Sequence, residues 1–173
     1  MPFMDLKAKI REVPNFPKDG ILFYDITTLL RDADGFARVV RRLSDFYRDE
    51  GVTKVVAIES RGFIFGAPLA LELGAGFVPV RKPGKLPAEV YERKYDLEYG
   101  SNSLAIHKDA VNPGERVLIV DDLLATGGTM AATVHLVKEL GGVVAGIAVL
   151  IELVQLGGRD KLKDQHVLSL ISY

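Results

Sequence analysis

The chain alternates short runs of apolar residues with segments in which apolar residues recur at helical spacing. The apolar runs predict five strands, at 54–58, 76–80, 116–120, 143–153 and 166–172. The periodic segments predict three helices, at 36–47, 64–74 and 129–142. Strands that alternate with helices form right-handed βαβ units, and continuous apolar strands lie in sheets covered on both faces. The pattern therefore predicts an α/β fold with a twisted, mostly parallel sheet flanked by helices.

The first helix shows the clearest periodicity. Asp34 is predicted as its N-cap, and Gly51 is a typical stop signal beyond its end. One stripe of the helix is predicted to be buried, and it comprises Phe36, Val39, Val40, Leu43, Phe46 and Tyr47.

Two segments interrupt the alternation within what the length predicts as a single domain, residues 1–173. Residues 1–30 predict a helix, a Pro/Gly-rich arm and a short element at 21–30. Residues 81–107 predict a long loop that leads into an antiparallel pair, roughly 89–96 and 102–107. The composition of 83–95, rich in Pro, Gly and charge, predicts a flexible lid.

Composition excludes several classes of function. The 22 Lys and Arg nearly balance the 23 Asp and Glu, which argues against broad nucleic-acid binding. The chain has no cysteine, so disulfides, thiolate catalysis and Cys-bound zinc are excluded. Its three histidines, His107, His135 and His166, lack metal-binding spacing, and we assign them no role. With no apolar run of about 20 residues and no apolar signal core, we expect a cytoplasmic protein that does not cross a membrane.

The segment 116–132 carries the most chemical information. Asp121 and Asp122 end an apolar strand, and carboxylates accept hydrogen bonds from vicinal hydroxyls and bind Mg²⁺. Backbone N–H groups at a helix start bind phosphate, and hydroxyl and glycine residues assist them. That helix start comprises Ala125, Thr126, Gly127, Gly128 and Thr129. Carboxylates beside a phosphate site predict a pocket for a ribose 5-phosphate.

Two more polar loops follow strands. Ser60, Arg61 and Gly62 come after 54–58, where the planar Arg61 fork suits phosphate oxygens and Gly62 permits unusual backbone geometry. A second loop, after 76–80, places three cations in five residues, and they are Arg81, Lys82 and Lys85. Such cations stabilise a departing diphosphate; the alternative is a solvated basic loop.

At this point the chain resembles a known family. VLIVDDLLATGGT resembles the phosphoribosyl-diphosphate (PRPP) signature of type I phosphoribosyltransferases, and its DDLLATGGT variant is similar to adenine phosphoribosyltransferases. The resemblance extends, in order, to 20–27, 59–70, 81–87 and 97–100.

The resemblance implies a reaction and a set of roles. Adenine and PRPP would give AMP and diphosphate, in a homodimer, with Mg²⁺ held mainly by substrate oxygens. The loop at 60–62 would hold the diphosphate, Glu98 would act as acid or base at purine N7, and Tyr99 would support it. Residues 1–33 would form a hood over the base.

The hood implies a base site. Main-chain groups of Leu22 and Tyr24 would recognise the amino-purine edge, Phe23 would stack on the ring, and Leu124 and Ala125 would line the pocket floor. Tyr24 stands where many members carry Arg, so contacts made by that Arg side chain are not expected here.

Two alternatives stay open. Within the class, the acceptor base would be hypoxanthine, guanine, xanthine or orotate, which a panel of bases distinguishes. From another class, a PRPP-sensing regulator without catalysis would usually carry an added DNA-binding module or a basic face, for which this chain has no spare segment.

Overall fold

The computed structural model describes residues 5–96 and 100–173. It divides the chain into two compact units, one ending at Arg42 and the other comprising Leu43–Tyr173. The predicted hood, 1–33, falls within the first unit. None of the helices in the described part of the chain is long and apolar enough to span a membrane.

The N-terminal unit is built on a hairpin. Strands β1 (Arg11–Pro14) and β2 (Leu22–Asp25) pair antiparallel, and the Asn15 side chain accepts the Gly20 N–H at 2.9 Å within the connecting loop. The predicted helix before the arm is wrong: in the described residues a 3₁₀ turn, Lys7–Lys9, stands there instead. Pairing between β1 and β2 orders the Pro/Gly-rich arm as a sheet, which local sequence pattern did not show.

Two helices follow the hairpin, α1 (Thr27–Leu30) and α2 (Ala33–Tyr47). Asp32, not Asp34, caps α2, because its carboxylate accepts the Gly35 N–H at 2.7 Å. Phe46 is a second correction, since it is 48% exposed and stacks on His166 with ring centroids 5.4 Å apart. Among the predicted stripe, Val39, Val40, Leu43 and Tyr47 are buried.

The C-terminal unit holds the parallel sheet predicted from the sequence. Its remaining strands and α-helices in the described residues are β3 (Lys54–Ile58), α3 (Arg61–Leu73), β4 (Gly76–Val80), β5 (Val90–Asp96), β6 (Ser101–His107), β7 (Arg116–Leu124), α4 (Gly128–Glu139), β8 (Val143–Glu152) and β9 (Val167–Ser172). Two 3₁₀ turns, Val154–Leu156 and Gly158–Leu162, lie between β8 and β9. The sheet order is β4-β3-β7-β8-β9, all parallel, while β5 and β6 form the predicted antiparallel pair. The inner strands are apolar on both faces: Val117, Leu118, Ile119 and Val120 of β7 are fully buried.

Strand order locates the ligand crevice. The chain leaves β3 for β4 on one side and returns to pair β7 on the other, so the order reverses between β3 and β7. Ligands of open α/β sheets bind beyond the carboxyl ends of strands at such a reversal. The loops after β3 and β7 are the segments in which the sequence predicts phosphate chemistry.

Candidate active site

The loop after β7, residues 125–129, is shaped by a close backbone contact. Gly127 has φ +82°, and a Cβ on it would lie 2.4 Å from the carbonyl oxygen of Gly158. Only glycine fits both conditions. Helix α4 begins at Gly128, one residue earlier than predicted. The first N–H groups of a helix lack intrahelical partners and favour an anion, so a phosphate site here stays a prediction. We call 125–129 the phosphate loop.

The two acids before this loop differ in environment. Asp122 is 6% exposed, and its Oδ2 lies 2.6 Å from Nε of Arg61. Asp121 accepts the backbone N–H of Asp122 at 2.8 Å. Burial, together with the neighbouring Asp122 charge, raises the pKa of Asp121 well above its ordinary value. The Asp122 carboxylate is therefore paired with a guanidinium, whereas the surroundings of Asp121 disfavour its charged form.

The loop after β3 contacts the same strand. The Glu59–Ser60 peptide bond is cis, and Ser60 precedes the first residue of α3. The sequence predicted that Gly62 allows an unusual backbone conformation. This prediction is wrong, since Gly62 has ordinary helical geometry. A Cβ there would lie 3.0 Å from Asp121 Oδ1 and 3.0 Å from the Val120 carbonyl oxygen, so Gly62 allows α3 to approach β7. That approach brings Arg61 to Asp122.

The three predicted cations after β4 have different surroundings. The Arg81 guanidinium donates to Glu59 Oε1 at 2.8 Å and to the Lys85 carbonyl at 3.2 Å. This hydrogen bond from Arg81 lowers the pKa of Glu59. Lys82 lines a pocket beside Ser60, whereas Lys85 is exposed and lines neither of the two pockets described next. Arg81 thus braces the loop after β3, and a diphosphate contact by Arg81 or Lys85 stays a prediction.

Two neighbouring pockets open at these loops. One of about 190 Å³ is lined by the phosphate loop, and another of about 270 Å³ by residues after β3 and β4. The residues common to both are Arg61, Asp121, Asp122 and Thr129. The first pocket is rich in backbone N–H groups and the second contains Arg61 and Lys82, so the two suit adjoining anionic groups of one ligand.

The residues predicted for the base lie in different places. Leu22, Phe23 and Tyr24 are on β2 in the N-terminal unit, where Phe23 packs edge-on against Phe16 at 5.1 Å. Burial and the Glu12 charge raise the pKa of Tyr24. Leu124 is 1% exposed and belongs to the hydrophobic core while also lining the smaller pocket. Contacts of these residues with a base stay predictions.

Glu98 and Tyr99, which the resemblance implicates in acid–base chemistry, lie outside the described residues. The three histidines have structural or exposed positions: His107 Nε2 accepts the Ala88 N–H at 3.3 Å, His166 stacks on Phe46, and His135 is exposed on α4.

Three further residues lie at the phosphate loop although the sequence did not predict them there, and they are Tyr95, Gly158 and Lys161. Thr129 Oγ1 donates to the Tyr95 hydroxyl at 3.3 Å. The Lys161 ammonium lies 3.9 Å from the position of a Cβ on Gly128. Gly158 supports Gly127 from the segment 157–162, which we call the supporting turn. Its sequence, GGRDKL, was a detectable signal, because paired glycines with two cations lie shortly after a strand.

Comparisons with known proteins decide the family. The model of the phosphoribosyl transferase domain matches residues 27–172. This chain belongs to the phosphoribosyltransferase family. Full-length relatives within that family include adenine phosphoribosyltransferases: the one from Solibacter usitatus (strain Ellin6076) is 60% identical over 169 residues, covering 98% of each chain. The family, the enzyme class and the α/β fold predicted from the sequence are confirmed.

Solved phosphoribosyltransferase structures agree with this assignment. Adenine phosphoribosyltransferase from Thermoanaerobacter pseudethanolicus is 55% identical and superimposes with a TM-score of 0.94, covering 97% of this chain and 98% of that one. The Saccharomyces cerevisiae enzyme is 42% identical with a TM-score of 0.90, covering 95% and 96%. It was crystallised with adenine and an imino-altritol bisphosphate. The predicted function agrees with the names of these relatives.

Proposed function

We propose that this chain transfers the 5-phosphoribosyl group of PRPP to adenine, releasing AMP and diphosphate. The observation that carries the proposal is the pair of adjoining pockets that share Arg61, Asp121, Asp122 and Thr129. One pocket offers helix-start N–H groups to a phosphate, and the other offers cations to a second anion. A ribose with a 5-phosphate and a 1-diphosphate has this arrangement of charge. The names of its full-length relatives support adenine as the acceptor.

The residues then have defined roles. The phosphate loop binds the 5-phosphate, with Lys161 adding charge at the start of α4. Asp121 and Asp122 accept hydrogen bonds from the ribose hydroxyls or from metal-bound water. The diphosphate lies against Ser60, Arg61, Gly62 and Lys82, with Arg81 and Lys85 in support.

In the reaction, the bond from C1′ to the diphosphate oxygen breaks and the bond from adenine N9 to C1′ forms. Glu98 accepts the proton that leaves adenine N7. Main-chain groups of Leu22 and Tyr24 recognise adenine, and Phe23 stacks on its ring. Leu124 and Ala125 form the floor of the base pocket. Tyr99 supports Glu98. Diphosphate leaves carrying the electron pair of the broken bond, and the cations around it stabilise that charge.

The donor set fits Mg²⁺ held by substrate. The described residues contain no group of three or more His, Cys, Asp or Glu side chains that would enclose a metal ion. Asp122 is paired with Arg61, which disfavours a direct bond from Asp122 to a metal. Asp121 or Asp122 would therefore reach Mg²⁺ through water, and substrate oxygens would supply most of its ligands. When bound, Mg²⁺ would neutralise charge on the diphosphate.

We also propose that the protein is a homodimer. The outer face of α3 and the adjacent edge strand expose three large apolar residues, Ile64, Leu71 and Phe77, with Leu71 84% exposed. Exposed apolar side chains on one helix and its neighbouring strand favour a protein interface, and a second copy is the partner that the family resemblance implies. Sedimentation equilibrium tests the stoichiometry. A cytoplasmic location stays a prediction from the sequence.

The decisive experiment is a spectrophotometric panel of adenine, hypoxanthine, guanine, xanthine and orotate with PRPP and Mg²⁺. AMP formation from adenine alone is expected. Turnover of an oxo-purine would retain the PRPP site and overturn the base assignment. PRPP binding without turnover of any base would favour the regulator alternative.

A further inference from the structure

Arg159 ties the supporting turn to the end of the sheet, while Leu162 of the same turn is buried in the hydrophobic core. Arg159 Nε and Nη2 donate to the two carboxylate oxygens of Glu152, each at 2.7 Å, and Nη1 donates to the Val167 carbonyl at 3.0 Å. Ser169 Oγ completes the network by donating to Glu152 Oε2 at 2.9 Å. Glu152 is 6% exposed and ends β8. A bidentate guanidinium fixes direction as well as distance.

The residue next to Arg159 contacts the phosphate loop. The carbonyl oxygen of Gly158 would lie 2.4 Å from a Cβ on Gly127, and a Cβ on Gly158 would lie 2.4 Å from the Ala125 carbonyl oxygen. The two backbones are therefore packed without room for a methyl group on either side. The Leu153 N–H also donates to the Leu124 carbonyl at 2.9 Å, which ties the end of β8 to the residue before the loop.

These contacts join Arg159 to the substrate site through one neighbour. A shift of the supporting turn must move Gly158, and Gly158 cannot move toward Gly127 without displacing the loop. A phosphate site depends on N–H groups held within about 0.5 Å of their productive positions by surrounding residues. Arg159 makes no contact with the phosphate loop among its described hydrogen bonds.

We propose that Arg159 is a positioning residue for the 5-phosphate site, holding the phosphate loop in its binding geometry through Gly158. This inference rests on the proposed function, since it assumes that 125–129 binds a phosphate. Lysine would keep the charge but not the planar fork, so it would hold the turn only in part.

The test compares AMP with adenosine, which lacks the phosphate. Affinities are measured by calorimetry for the wild-type protein, Arg159→Met and Arg159→Lys. We expect Arg159→Met to weaken AMP binding about tenfold and to leave adenosine binding unchanged, with Arg159→Lys in between. The KM for PRPP should rise by a similar factor, while kcat changes less. Melting temperature is recorded for every variant.

Lys54→Met is the matched control. Lys54 pairs with Glu115 at 3.3 Å and begins β3, at the opposite end of the sheet from the phosphate loop. It should lower stability without changing the ratio of AMP to adenosine affinity. If Arg159→Met does not fold, the milder Arg159→Lys carries the comparison alone.

Two results would count against the inference in different ways. A wild-type ratio of AMP to adenosine affinity in a folded Arg159 variant, even with a lower melting temperature, would overturn the positioning role alone. Wild-type protein that binds AMP no more tightly than adenosine would overturn the phosphate site and the proposed function with it.

Discussion

Arg61 and Asp122 are partners: Nε of the guanidinium lies 2.6 Å from Oδ2 of the carboxylate. Arg61 follows β3 and Asp122 lies in β7, so the pair spans the point where strand order reverses. The first is proposed to bind diphosphate and the second the ribose. Substrate must therefore bind to an ion pair that already exists, and the two roles are coupled.

This coupling predicts the effect of Asp122→Asn. The substitution removes a ribose acceptor and the carboxylate charge that holds Arg61 in place, so PRPP affinity should fall by about tenfold or more. The double variant Asp121→Asn with Asp122→Asn should abolish PRPP binding. Calorimetry with PRPP and Mg²⁺ measures both. Asp109→Asn, on an exposed turn, is the control for loss of one negative charge and should bind normally. Retained binding by the double variant would contradict the role of the acidic pair.

Asp121 should make stability depend on pH. Its raised pKa means that the folded protein holds this proton more tightly than the unfolded chain does. The contribution is therefore favourable below the ordinary Asp pKa of 3.8 and is lost as pH rises through the folded-state pKa. Asp121→Asn should raise the melting temperature at about pH 8 and change it little at about pH 4. Equal shifts at both pH values would contradict this explanation.

Gly127→Ala separates backbone strain from steric contact. The φ of +82° is unfavourable for alanine, and the added Cβ meets the Gly158 carbonyl oxygen at 2.4 Å. Gly114→Ala is a matched control, with φ +85° and no atom within 4 Å of the added Cβ. The control should cost about 1 kcal/mol of unfolding free energy, and Gly127→Ala more, with weaker AMP binding. Equal losses in denaturant unfolding would show that the Gly158 contact is unimportant.

Lys161 should contribute charge to phosphate binding. Its ammonium lies close to Gly128 at the start of α4. Lys161→Met should raise the KM for PRPP about fivefold at low ionic strength, and the effect should shrink as salt is added. Lys163→Met, an exposed lysine two residues further on, should leave KM unchanged. Steady-state kinetics across a salt series measures both, and matching KM values for the two variants would remove Lys161 from the site.

Glu98→Gln tests the acid–base role that the family resemblance implies. Loss of the proton acceptor should lower kcat about 100-fold or more and leave PRPP affinity nearly intact. Glu92→Gln, an exposed residue of β5, should retain wild-type kcat. Single-turnover kinetics with calorimetry separates chemistry from binding. An unchanged kcat in Glu98→Gln would exclude Glu98 from the mechanism.

The sequence by itself determined the parallel sheet and the antiparallel pair, and it predicted the phosphate loop. Each of these features depends on residues that are close together in the sequence. Apolar runs predict buried strands, and the segment 121–129 places two acids before a helix start. Its errors were of two kinds: the cap of α2 was placed at Asp34 and belongs to Asp32, whereas the role of Gly62 depends on a tertiary contact with β7.

Only the tertiary structure decided which of these residues meet. Arg61 reaches Asp122 because β3 and β7 are adjacent and Gly62 lets α3 approach, and neither fact is visible in either segment alone. Gly158 reaches Gly127 because β8 pairs with β7 and carries the supporting turn back beneath the loop. Periodicity records whether a residue faces a core, whereas contacts between distant segments depend on strand order and register, which are properties of the whole sheet.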